Sequence, residues 1–179
     1  MGNRISLALS TIHMFVKKFE ADDWQIYKAI RLEALSLHGE VYGSSYANES
    51  SWSDSQWQYM LGSQKNAFFG LYDGKKLIGN SAVFTDRNDK KGRTALLAGS
   101  YIREEYRGQK LSRLLYAARI EWIVGSGRFD CIAVGHKAGN EASRRANQAF
   151  GFGYVGQEEK IWGDGSQGIL QKYEMRLVS

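Results

Sequence analysis

Apolar positions along this chain switch between two periods. Met14-Phe15-Val16-Lys17-Lys18-Phe19 reads as a first strand. Asp22 and Asp23 then supply candidate caps for a helix in which Trp24, Tyr27, Ile30, Ala34 and Leu35 recur near helical spacing. Residues 39–53, rich in Gly, Ser, Asn and Tyr, read as a loop. Ser53 or Asp54 opens a short helix holding Trp57, Met60 and Leu61. Two strands follow, at 67–72 and 76–85, joined by the hairpin signal Asp73-Gly74. A fourth strand runs over 94–102, and a helix over 110–124 carries Leu111, Leu114, Leu115, Ala118 and Trp122 at i, i+3, i+4, i+7 spacing, with Gly125 and Gly127 ending it. A short apolar strand at 130–136 precedes a helix over 141–150, capped by Asn140 and stopped by Gly151. Two final strands, 154–162 and 169–178, flank Gly163-Asp164-Gly165. This order predicts one mixed α/β domain over residues 1–179, with antiparallel hairpins around a β-α-β core and residues 1–13 as a flexible extension.

The 179 residues, 43% of them apolar, suffice to bury roughly 70% of the unfolded surface without a disulfide or metal staple. Cys131, the single cysteine, lies in an apolar strand and reads as a buried, inert thiol. His13, His38 and His136 are scattered, and no metal site is expected. No apolar run approaches ~20 residues, so stable membrane association is not expected and a cytoplasmic location is. Met1-Gly2-Asn3-Arg4-Ile5-Ser6 fits the loose myristoylation pattern, which matches often by chance. The net charge of +5 does not gather into one basic helix face, Arg144-Arg145 notwithstanding. That disfavours a nucleic-acid partner and leaves attraction of an anionic ligand as the better reading.

The stretch Ser100 to Arg113 carries the chemistry: an apolar strand ends, a polar turn with one glycine follows, and an amphipathic helix begins. Free amides and the positive dipole end at a helix N-terminus form an anion site. Gly108 allows close backbone approach, Arg107, Lys110 and Arg113 add charge, and Ser112 offers a hydroxyl. Basic residues are misplaced at that end of a helix unless an anion joins them.

With the later stretch Asn140 to Phe152, this region resembles the GNAT superfamily of N-acetyltransferases. The family's loop pattern [QR]-x-x-G-x-[GA] falls on Arg107-Gly108-Gln109-Lys110-Leu111-Ser112. Its later element N-x-x-[AS]-x-x-x-Y-x-x-x-G-F is matched at Asn140, Ser143, Gly151 and Phe152. Leu32 to Ser45, with Val41-Tyr42-Gly43-Ser44, also resembles small-substrate members. The resemblance implies a central, mostly antiparallel sheet of six to seven strands with a splayed fourth and fifth pair, flanked by about four helices. It further implies acetyl-CoA as cosubstrate and transfer to a primary amine by direct attack in a ternary complex. Backbone of Ser100, Tyr101 and Ile102 would pair with the pantetheine, amides across Gly108, Gln109, Lys110, Leu111, Ser112 and Arg113 would hold the diphosphate, and Asn140 would bond the pantetheine from the other side. An amide near Ile102 would polarise the thioester carbonyl.

Three departures stand out. Lys110 replaces the first loop glycine, so a negative φ is expected there. Asn147 stands where many members have the tyrosine that protonates the thiolate; it can donate a hydrogen bond but not act as an acid. Gly135 stands where some relatives carry a glutamate base. Glu33 is then the base candidate; Tyr101 is another, and His136 is expected to turn away from the cleft by strand alternation. Tyr42, Tyr46, Trp52 and Trp57 could line an acceptor pocket or pack as core. A non-catalytic acyl-CoA-binding module is the alternative reading, and a homodimer is the commonest assembly for such a chain.

Overall fold

The computed structural model describes residues 13–178; the amino-terminal myristoylation pattern lies outside them. The elements are β1 (Met14–Lys18), α1 (Trp24–His38), α2 (Tyr46–Ser50), α3 (Asp54–Gly62), β2 (Ala67–Asp73), β3 (Lys76–Thr85), β4 (Thr94–Ile102), α4 (Ser112–Ser126), β5 (Cys131–Lys137), α5 (Glu141–Ala149), β6 (Gly153–Ile161) and β7 (Gln167–Arg176), with 3₁₀ turns at Ala21–Asp23, Gly39–Val41 and Glu104–Tyr106. The seven strands form one sheet in the order β1-β2-β3-β4-β5-β7-β6. Only β4 and β5 run parallel.

Alternation along β2 assigns the two faces. Phe68 packs with Tyr27 of α1 and Trp57 of α3, whereas Ala67, Phe69 and Leu71 pack with Leu115 and Ile123 of α4. Trp57 is therefore core, with the Trp52 ring tilted against it at 5.0 Å, not acceptor-pocket lining.

Local predictions shift in instructive ways. The segment expected to be loop holds the five-residue α2, because the Ser45 side chain accepts from Asn48 N and caps it despite a Ser- and Asn-rich composition. Asp23 precedes α1, but its carboxylate accepts from Glu20 N instead of capping the helix. Helix α4 begins at Ser112, two residues later than expected, and runs through Gly125 to a left-handed Gly127. Its buried face is Leu115, Tyr116, Arg119 and Ile123, rotated from the predicted stripe so that Leu114 is exposed.

The sheet opens at its centre. Thr94 to Leu97 pair with Cys131 to Val134, and beyond that the parallel strands part. On the far side of β4, Asn80 faces Tyr101 while Ala82 faces Ala98, so Gly99 and Ser100 together oppose Ser81. Gly99 takes φ +63°, a left-handed bulge residue. The extra residue bends β4 away from β5 and ends the pairing.

Candidate functional site

The turn ahead of α4 leaves its amides free. Arg113 N donates to Lys110 O and Leu114 N to Leu111 O, but no protein acceptor among the described residues meets the amides of Gly108, Gln109, Lys110, Leu111 and Ser112. Gly108 has φ +78°, and a Cβ there would meet nothing within 4 Å. Lys110, expected at negative φ, has φ +59°. The lysine thus adopts the left-handed conformation a glycine would take, since only that bend aims the successive amides outward together. The loop and the start of α4 line a cleft of about 280 Å³ that runs along Ser100, Tyr101 and Ile102 to Tyr116, Arg119, Ser143 and Ala146.

The arginine leading the turn behaves differently from its neighbours. Arg107 Nε donates to Ile102 O at 2.8 Å, and Nη2 lies 2.9 Å from His38 Nε2. The side chain is folded back across the strand end and leaves the amides to face the cleft.

Along β4 the backbone groups divide. Arg103 N donates to Ile78 O, and hydrogen-bonded pairs alternate in an antiparallel ladder. Tyr101 therefore spends its backbone groups on Asn80 of β3, whereas Ile102 turns its N–H toward the gap. Ser100 O accepts from the Tyr42 hydroxyl at 3.0 Å, which ties the acceptor-side loop to the bulge.

A second cavity of about 120 Å³ lies in the gap itself, lined by Tyr42, Gly99, Ser100, Tyr116, His136, Asn140 and Asn147 among others. Asn140 Oδ1 caps α5 by accepting from Ser143 N at 3.1 Å, and its Nδ2 remains. Asn147 is 1% exposed. Its Oδ1 accepts from the Tyr116 hydroxyl at 2.5 Å, and its Nδ2 has no protein partner. Burial pushes the Tyr116 hydroxyl up, and the Arg119 charge partly offsets this. His136, expected to turn away from the cleft, instead borders this second cavity; it is buried, with its ring stacked 5.4 Å from Tyr173. A side chain at Gly135 would lie 2.7 Å from Leu170 and 3.0 Å from Gln171 O, so no glutamate could stand there without moving β7.

Glu33 is not placed as a base. Arg103 grips it at 2.8 and 2.7 Å, and Tyr101 Oη donates to it at 2.8 Å. The Arg103 hydrogen bonds hold its carboxyl below the usual range, and it lines neither cavity. Tyr101, pushed up to about 12 by burial and by Glu33, is no better a base. Nearby, Arg31 and Glu49 form a buried bidentate pair at 2.9 and 2.7 Å, with the guanidinium 5.0 Å from the Tyr42 ring centre.

The structure thus gathers Ser100, Tyr101, Ile102, Arg107, Gly108, Lys110, Leu111 and Ser112 around one cleft, and Asn140 and Asn147 around the adjoining one. Sequence reasoning missed Tyr116 and Arg119. The signal was present: from Ser112, they fall at i+4 and i+7, on one helix stripe with Ile123, where a tyrosine and an arginine interrupt an apolar face.

A family model described as the acetyltransferase (GNAT) family matches residues 30–152. No curated protein matches the sequence. Among solved structures, an acetyltransferase of the GNAT family from Streptococcus pneumoniae is 18% identical, with a TM-score of 0.77 over 92% of this chain and 99% of that one. The Salmonella typhimurium yncA acetyltransferase, solved with its cofactor acetyl-CoA, is 16% identical at TM-score 0.76, over 93% and 95%. The ribosomal-protein-alanine N-acetyltransferase from Brucella melitensis is 19% identical at TM-score 0.71, over 91% and 99%. These likenesses establish the shared fold. Among the described residues no helix is long and apolar enough to cross a membrane, and no group of three or more His, Cys, Asp or Glu could hold a metal.

Proposed function

Because the chain belongs to the acetyltransferase (GNAT) family, we propose that it passes the acetyl group of acetyl-CoA to a primary amine, by direct attack with both substrates bound. One observation carries this reading: five consecutive unpaired amides, Gly108 to Ser112, open α4 at the mouth of the gap between β4 and β5. The lining suits a diphosphate, since it includes Arg107 and Lys110 and no Asp or Glu.

In this reading acetyl-CoA supplies an activated acyl carbon, and the protein positions it. The amides of Gly108 to Ser112, with the Lys110 charge and the dipole of α4, hold the diphosphate. Ile102 N–H, facing the gap, polarises the thioester carbonyl. Asn140 Nδ2 braces the pantetheine, and Asn147 Nδ2 donates toward the sulfur. Tyr42, fixed by Ser100 O, forms a wall of the acceptor side. Deprotonation of the amine runs through water in the second cavity, because Glu33 is held by Arg103.

Release of free thiol from acetyl-CoA in the presence of a panel of amines tests the proposal. Amine-dependent release supports it. Saturable CoA binding without release for any amine would favour an acyl-CoA-binding module without turnover, the reading to which the captured Glu33 lends weight.

A further inference from the structure

We propose that Arg119, Asn147 and Tyr116 form a receiving pocket for sulfur as a thiolate, so that the carbon–sulfur bond breaks without proton transfer from the protein. The inference rests on the acetyl-CoA reading of the cleft.

Arg119 is 1% exposed on α4, yet no acidic side chain among the described residues pairs with it. Its Nε donates to Leu115 O of its own helix and its Nη1 to Ser100 Oγ at 3.0 Å; Nη2 has no partner. Burial lowers it to about 10, which still leaves it cationic at neutral pH. A buried charge met only by neutral groups is costly unless a ligand brings the opposite charge.

Asn147 Nδ2 is a second buried donor without an acceptor. The Tyr116 hydroxyl holds Oδ1 and so leaves Nδ2 as the free atom of the amide. The Tyr116 ring links the two, with the Arg119 guanidinium 4.7 Å from its centre. These groups lie where the cavities meet: Ser100, Tyr116 and Ser143 line both, Arg119 lines the first and Asn147 the second. The charged side chains on the walls, Arg107, Lys110, Arg119 and Lys137, are all cationic. His136 from β5 adds no acid, and Glu141 of α5 is held at the surface by Arg144. Unpaired donors around one positive charge call for a compact anionic acceptor.

The departing sulfur is that acceptor. As the amine nitrogen bonds to the acyl carbon, the carbon–sulfur electron pair stays on sulfur and the ammonium proton passes to water. Arg119 balances the thiolate charge and Asn147 Nδ2 donates to it, so an asparagine in place of an acid is sufficient. A cation beside a thiol lowers its pKa, as for reactive cysteines.

The test compares CoA with desulfo-CoA, which lacks the thiol, on the intact protein at neutral pH. Expected are thiolate ultraviolet absorption from bound CoA and binding at least about tenfold tighter than desulfo-CoA. Arg119→Met should abolish both differences while keeping desulfo-CoA affinity. Equal affinity of the two ligands for the wild-type protein, with no thiolate absorption, overturns the pocket alone and does not depend on how the variant folds. Failure of both ligands to bind overturns the acetyl-CoA reading beneath it.

Discussion

The phenolic hydroxyl of Tyr116 donates to Asn147 Oδ1 at 2.5 Å, joining α4 to α5 where the two cavities meet. This bond fixes which end of the Asn147 amide is free. Asn147→Ala removes the free donor and strands the Tyr116 hydroxyl, so it should cost about 1–3 kcal/mol of stability. Turnover should fall by about tenfold or more while affinity for acetyl-CoA, whose thioester sulfur carries no charge, changes little. Unfolding curves, steady-state rates and calorimetry check the three parts; unchanged turnover would remove Asn147 from the mechanism.

Lys110 holds a left-handed φ of +59°. For a residue with a Cβ this costs about 1–2 kcal/mol, while the flexibility of glycine in the unfolded chain costs about 0.5–1 kcal/mol. Lys110→Gly should therefore leave thermal stability unchanged or raise it by up to about 1.5 kcal/mol. It should also weaken CoA binding at low salt, because it removes a charge from the cradle. A clear loss of stability would contradict the assigned backbone conformation.

The order of elements along the chain and the turn ahead of α4 were legible because each leaves a local mark: Asp73-Gly74 between two apolar runs, and Gly108 ahead of an amphipathic helix. What escaped was set by tertiary contact. The φ of Lys110 is dictated by where the turn must aim its amides, against the intrinsic preference of lysine. The role of Glu33 was decided by Arg103, seventy residues away in sequence. Tyr116 and Arg119 gained their place once α4 rotated them onto the buried face.

Glu33 gives a pH signature. Its carboxyl sits below the usual range when folded, so the Arg103 pair stabilises the protein above about pH 4.3 and that contribution fades as pH falls through the lower folded value. At neutral pH Glu33→Gln should cost about 1 kcal/mol, after screening at this half-buried site. The two melting temperatures should converge in acid. A constant gap across the acid range would show that the pair is not the source.

The Arg31–Glu49 pair braces the Tyr42 wall from within. Glu49→Ala would leave the Arg31 charge buried alone and should destabilise by about 3–5 kcal/mol. Arg31→Met combined with Glu49→Leu should lose much less. Chemical unfolding of the two variants checks this; equal losses would mean that packing, not charge, dominates there.

The most direct measurement is calorimetric titration of CoA into the wild-type protein and into Gly108→Glu, whose side chain has open space around it but sets a negative charge on the unpaired amides. The account predicts saturable one-to-one binding to the wild type. In the variant it predicts a loss of at least about tenfold in affinity (about 1.4 kcal/mol), with the fold retained and stability lowered by no more than the about 1–2 kcal/mol that a side chain costs at φ +78°. Equal affinity in both proteins, or no binding heat in the wild type, would contradict it.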